Sequence, residues 1–293
     1  MNWFLKMFSS SIGQKVIMAL TGLFLCLFLV IHLTGNFQLL LNDSGYQFNT
    51  YAKFMTSNPL IKIAGYITYL SILFHAFKGL HLAYKNSQAR KRGYRKSSGS
   101  ATSTWMSRSM GLLGTIILVF IVVHMQQFWY QYKFGKTVES EQFIVYLEQK
   151  TGAEKAISMK DLEVMNAQLD SVSAIYQPTE DIAGFEKDPV YLEFKPLLDD
   201  LNYSESEKKL KRENLRDLYA VVKASFQEWW IVLLYVVSMA AIAFHLLHGF
   251  QSAFQTMGWK HSKYNGLIST VGALFSILIP IGFAAIPLIM YFR

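Results

Sequence analysis

Seven histidines occur in this 293-residue chain, and six of them (His32, His75, His81, His124, His245 and His248) fall inside long apolar runs. A neutral imidazole can hydrogen-bond across a helix interface, relay a proton, or ligate a metal through either ring nitrogen. Ionisable side chains inside an apolar span are costly and rare, so each is a functional candidate by default. One such histidine is ordinarily explained by an interhelical hydrogen bond. Six on four runs invite a different question: whether they lie at matching levels.

The runs that carry them answer it. Apolar stretches of about 20 residues or more, enough to cross about 30 Å of hydrocarbon, recur at roughly 15–40, 61–84, 109–131, 229–254 and 266–291. A content of 52% hydrophobic and 15% aromatic residues is too apolar for an ordinary soluble domain. The expected fold is therefore all-α: an integral membrane protein with a bundle of five transmembrane helices. Residues 1–132 carry spans one to three, 133–228 form a polar insertion on the outer side, and 229–293 carry spans four and five. Lys6 and Lys15 precede the first run as they would in a signal peptide. That run exceeds the roughly 7–15 residues of a signal core and no small-residue cleavage site follows, so it is expected to stay in the membrane.

The net charge of +8 conceals a division. Nineteen of the 20 acidic residues lie in 133–228 beside 13 Lys and Arg, leaving only Asp43 elsewhere. The other basic residues border apolar runs rather than forming a soluble basic face, which argues against nucleic acid as a partner. The positive-inside rule accounts for them. Lys6, Lys15, the loop 85–108 (Lys85, Arg90, Lys91, Arg92, Arg95, Lys96, Arg108) and the turn carrying Lys260 and Lys263 would share the cytoplasmic side. The loop 41–60 offers only Lys53. The N-terminus is thus expected in the cytoplasm and the C-terminus outside. Residues 1–14, with Trp3, Phe4 and Phe8, read as an interfacial lead-in, and 86–107 as a solvated linker.

Within 133–228, stretches 139–150 and 204–226 read as helical, the latter from alternating Glu and Lys. The apolar content of this segment is thin for a core of its own, which predicts a small cap on the membrane domain or partial disorder. Cys26, the single cysteine, excludes a disulfide framework and a cysteine-ligated iron–sulfur cluster within the chain. There is no Gly-rich dinucleotide motif after a strand and no Walker loop.

Depth sorts the histidines. At about 1.5 Å per residue, His32 lies about 17 residues into a span entered from the cytoplasm and His124 about 15, which places both in the outer half. His75 lies about 14 residues into a span entered from outside and His245 about 16, so both fall in the inner half. Two level pairs result, His32 with His124 and His75 with His245, separated by roughly 12–15 Å along the normal. Low-spin b haem needs two neutral imidazoles on opposite faces of the iron, supplied by facing helices. Two stacked b haems at that spacing would exchange electrons rapidly. His81 with His248 is a competing level pair, but it lies nearer the headgroups. Lys78, one turn from His75, suits a haem propionate or the membrane interface equally. Arg108, Lys260 and His261 are further propionate candidates, and Trp129, Tyr130, Trp229 and Trp230 mark an aromatic belt.

Four stretches carry a resemblance: SSSIGQKVIMALTGLFLCLFLVIHLTGN, NPLIKIAGYITYLSILFHAFKGLHLAYKN, SRSMGLLGTIILVFIVVHMQQFWY and YVVSMAAIAFHLLHGFQSAFQTMGW. In order, they resemble the single-subunit, five-helix, dihaem cytochrome b anchor of succinate:quinone oxidoreductases (succinate dehydrogenase or fumarate reductase, b558-like branch). The family's second-span ligand stands in an FHxxxG context, matched by Phe74, His75 and Gly79. Its fourth-span ligand precedes a glycine by four residues, matched by His245 and Gly249, and its first- and third-span ligands fall on His32 and His124. The resemblance implies two b haems, an iron–sulfur and a flavoprotein partner subunit, a quinone (menaquinone) as substrate, and a bacterial inner membrane. The insertion 133–228 is longer than the family's usual connection. No acidic residue lies in the spans, so the membrane glutamate of some members has no counterpart. Rival readings are another dihaem carrier (b561-like, or the cytochrome of a formate dehydrogenase or hydrogenase) and a transporter with proton-relaying histidines.

Overall fold

The computed structural model describes residues 10–89, 105–135, 138–177, 181–206, 209–259 and 261–293. The expected lead-in at Trp3, Phe4 and Phe8, most of the basic loop 85–108 and Lys260 lie outside the described residues. The chain divides into two compact units. One takes residues up to Leu40, Met55–Tyr130 and Val222–Arg293; the other takes Leu41–Phe54 and Gln131–Val221.

The first unit is a helical bundle. Helix α1 (Ser11–Asn36) begins at Ser10, whose side chain accepts the Gly13 N–H at 3.0 Å, and closes in a 3-10 turn, Phe37–Leu40. Helix α2 (Tyr46–Ser57), most of which belongs to the second unit, leads in sequence to α3 (Pro59–Ala89), where the proline starts the helix with its missing N–H at an end that needs none. Helix α4 (Trp105–His124) runs on through a π-helical turn, Met125–Tyr130, into a last α-turn, Gln131–Phe134. Later in the chain come α8 (Trp229–Thr256) and α9 (Asn265–Phe292). Five helices, spanning Ser11–Leu40, Pro59–Gln88, Trp105–Phe134, Trp229–Thr256 and Asn265–Phe292, are long and apolar enough to cross a membrane. Leu73, Phe77, Leu112, Val119 and Leu278 project from them exposed, an outer surface suited to lipid rather than water.

Packing arranges four of these helices in a ring. Helix α1 packs on α3 and α8, and α4 packs on the same two neighbours, so α1 faces α4 and α3 faces α8 across diagonals. Helix α9 lies outside the ring against α8 and α1. Glycine permits that approach: a Cβ on Gly282 would stand 2.8 Å from Leu33 Cδ2, and one on Gly272 2.7 Å from Phe250 Cδ1. Hydroxyls in the spans return to their own helix, as Ser238 does to the Leu234 carbonyl and Ser276 to that of Gly272. Helix α3 buries little: Thr68 and Ser71 are its fully buried side chains.

The second unit contains a three-stranded antiparallel sheet in the order β2–β1–β3. Strand β1 (Ser140–Leu147) pairs with β2 (Glu154–Ser158) through Phe143 opposite Ser158, and with β3 (Lys211–Arg216) through Phe143 opposite Glu213. Helices α5 (Met159–Tyr176) and α6 (Pro189–Ser206) pack against β1. Helix α7 (Leu218–Phe226) leads back to the bundle. The core of this unit is Phe143, Val145, Met165 and Leu215, each at most 2% exposed.

These strands correct the helical expectation for 139–150 and for Lys211–Arg216 within 204–226, whereas Leu218–Phe226 is helical as expected. The run Phe143–Tyr146 is aromatic and β-branched, and its strand partners lie nine or more residues away, beyond the reach of a helical periodicity. The core is also fuller than composition implies, because residues 41–54 contribute to it. Tyr46 packs against Phe143 with ring centroids 5.5 Å apart, and burial holds its phenol above the usual tyrosine range. Asn49, 1% exposed, donates to Asp217 Oδ1 at 3.0 Å and accepts the Tyr219 N–H at 3.0 Å. Gly45 has φ of +82° and lies against the Tyr219 ring, a position only glycine fits.

Candidate functional site: two imidazole pairs across a helical ring

Each diagonal of the ring is bridged by two histidines. His32 on α1 meets His124 on α4 with ring centroids 5.8 Å apart and ring planes at 86°. His75 on α3 meets His245 on α8 at 6.2 Å and 64°. Two imidazoles sharing one metal from opposite sides, with metal–nitrogen bonds of about 2.0–2.1 Å and about 1.2 Å from nitrogen to ring centre, would have centroids about 6.4–6.6 Å apart. Both observed separations are shorter than this, so a metal shared by each pair would require the rings to part, His32 and His124 further than His75 and His245.

The levels follow from contacts on shared helices. Tyr235 touches His124, and His245 lies ten residues further along α8, which sets the pairs about 15 Å apart by helix rise. Thr21 touches His75, and His32 lies eleven residues further along α1, giving about 16 Å.

The hydroxyl partners of two rings favour one tautomer. The Thr21 hydroxyl donates to the Ile17 carbonyl at 2.8 Å, so its oxygen is left to accept from His75 Nδ1, 3.1 Å away. The Tyr235 hydroxyl donates to Gln127 Oε1 at 2.9 Å, so its oxygen accepts from His124 Nδ1 at 3.1 Å. With the proton on Nδ1, Nε2 keeps its lone pair for a ligand. The other two rings differ. Asn36 Nδ2 lies 3.3 Å from His32 Nδ1 while donating to the His32 carbonyl at 2.7 Å. The buried Nδ1 of His245 has no hydrogen-bond partner among the described residues.

The surroundings are apolar and closely shaped. Phe28 stacks on His32 at 5.2 Å and Phe283 of α9 lies 5.5 Å from it, while Phe120 and Phe128 flank His124 at 5.7 and 5.4 Å. Gly22 faces His75: a Cβ there would stand 3.2 Å from the ring Cε1. The π-helical turn begins directly after His124, and its wider spacing brings both Gln127 and Phe128 to Tyr235.

Other residues singled out from sequence fall elsewhere. Lys78 is half-buried one turn from His75, and no carboxylate pairs with it among the described residues. His81 and His248 are half-buried, and no ring contact joins them among the described residues. His261 accepts the Lys263 N–H at 3.2 Å and so shapes the turn before α9. Trp129 packs edge-on to Tyr69 at 5.9 Å; Tyr130, Trp229 and Trp230 are exposed, as belt residues would be. Thr21, Gln127, Tyr235 and Phe283 were not among the sequence candidates. The signal for Tyr235 was a tyrosine six residues inside a span, too deep for the belt. No protein-family model, curated protein or solved structure matches the chain.

Proposed function

We propose that this chain is a dihaem cytochrome b: a membrane anchor that passes electrons between a peripheral iron–sulfur subunit and a quinone. One observation carries the reading. Two imidazole pairs, each from facing helices with ring centroids 5.8 and 6.2 Å apart, are stacked about 15 Å apart in an apolar bundle. Each pair would offer two ring nitrogens to the iron of a porphyrin. Bound haem supplies a one-electron ferric–ferrous couple.

The chain's own residues hold and shield that group. His32 with His124, and His75 with His245, would hold the two b haems. The phenylalanines around His32 and His124 keep water from that pair, and Lys78 is placed to meet a propionate of the haem on His75 and His245. The resemblance to the anchors of succinate:quinone oxidoreductases supports an iron–sulfur subunit and a flavoprotein as partners, and menaquinone as the quinone. In the orientation that the basic residues favour, the N-terminus is cytoplasmic in a bacterial inner membrane, and the His75–His245 haem lies nearer the iron–sulfur partner.

A redox-titrated visible spectrum with haem quantified per chain tests this. Two low-spin b components per polypeptide are expected. A colourless preparation would instead favour a transporter, and two haems without a succinate-oxidising partner on co-purification would favour another dihaem carrier.

A further inference from the structure

The environment of His124 is more elaborate than ligation alone requires. Tyr235 is 5% exposed and comes from a neighbouring helix, α8. Its single hydroxyl proton is committed to Gln127 Oε1, so toward His124 it can only accept. Phe120, Phe128 and Phe226 surround its ring at 5.0, 6.2 and 5.1 Å, leaving it one orientation. The π-helical turn Met125–Tyr130 delivers both Gln127 and Phe128 to this ring, and such turns recur at functional sites. Not every ligand candidate has this support: Nδ1 of His245 has no hydrogen-bond partner among the described residues.

We propose that Tyr235, oriented by Gln127, is a positioning residue for the His32–His124 haem: it fixes the Nδ1–H tautomer of His124 and tunes that haem's potential. The inference rests on the dihaem reading above. A hydrogen bond from Nδ1–H to an oxygen makes the imidazole a stronger donor at Nε2. Stronger donation favours ferric over ferrous iron, so losing the bond raises the midpoint potential.

The full-length chain, purified with its haems, is titrated as wild type, Tyr235→Phe, Gln127→Leu and Thr21→Val, with haem counted per chain. The His32–His124 component is identified as the one lost in His32→Ala. In Tyr235→Phe the phenylalanine keeps the packing among Phe120, Phe128 and Phe226. It should retain two low-spin haems and raise only that component's potential, by about tenfold in the ferric–ferrous equilibrium, or ~59 mV for one electron. Gln127→Leu should move the same component in the same direction by less, and Thr21→Val should leave it where it was. Unchanged potentials in a Tyr235→Phe protein that holds both haems would overturn the proposal, as would a shift confined to the component that His75→Ala removes. If Tyr235→Phe fails to hold haem, Gln127→Leu decides by the same criterion. A wild-type chain without haem would instead refute the dihaem reading, and this inference with it.

Discussion

Thr21 and His32 lie eleven residues apart on α1, yet they serve different imidazole pairs: Thr21 bonds to His75 and His32 meets His124. Helix α8 repeats the arrangement in the opposite sense, with Tyr235 at His124 and His245 at His75. The spacing of the pairs is therefore set by the rise of two continuous helices, not by loops. Sites about 15 Å apart with no shared partner behave independently, and the first prediction depends on that.

Replacing any one of His32, His75, His124 or His245 by alanine should remove one b component and leave the other. Haem per chain should fall from two to one in each case, measured by haemochrome quantification. His32→Ala and His124→Ala should delete the same spectral component, and His75→Ala and His245→Ala the other. Four variants that all keep both components would show that other side chains hold the iron.

Gly22→Leu should act on the His75–His245 pair alone. A Cβ at position 22 already stands 3.2 Å from His75 Cε1, and a leucine branch pushes the ring off its diagonal. The expected result is loss or high-spin conversion of the component removed by His75→Ala, with the other spectrum unchanged. Retention of both low-spin signals would mean that His75 moves away from α1 when haem binds.

Asn49→Leu should loosen the sheet-bearing unit. It leaves the Asp217 carboxylate and the Tyr219 N–H without their buried partner, a loss of about 1–3 kcal/mol for each unsatisfied group. Hydrogen exchange in β1 and β3 should accelerate, while protection in α8 stays as in the wild type. Equal loosening of both units would contradict a local role.

Lys160 predicts a pH dependence. Its ammonium lies 2.8 Å from Glu141, which is 4% exposed, and that hydrogen bond holds the lysine above its usual 10.5. A raised lysine contributes stability at neutral pH, and the contribution is lost as pH climbs past 10.5 through the folded value. Exchange in β1 should therefore rise above that pH in the wild type more steeply than in Lys160→Met. The variant is already weakened at pH 7 because Glu141 has lost its ammonium. Parallel curves for the two proteins would refute the link.

The sequence by itself determined the five apolar helices and the four histidines by depth, because a hydrophobic run of membrane length and a 1.5 Å rise per residue are local properties. It did not determine which polar neighbours reach those rings. Thr21 and Tyr235 sit 54 and 111 residues from the histidines they bond, and only the ring order of the helices brings them together. The same limit governed residues 133–228. The stretch 139–150 read as helix, whereas Phe143 and Val145 became strand because β2, β3 and the distant residues Tyr46 and Asn49 closed a core around them. Periodicity reports which face of a segment is apolar; the partner that covers that face is chosen by tertiary packing, where the free energy of burial is gained.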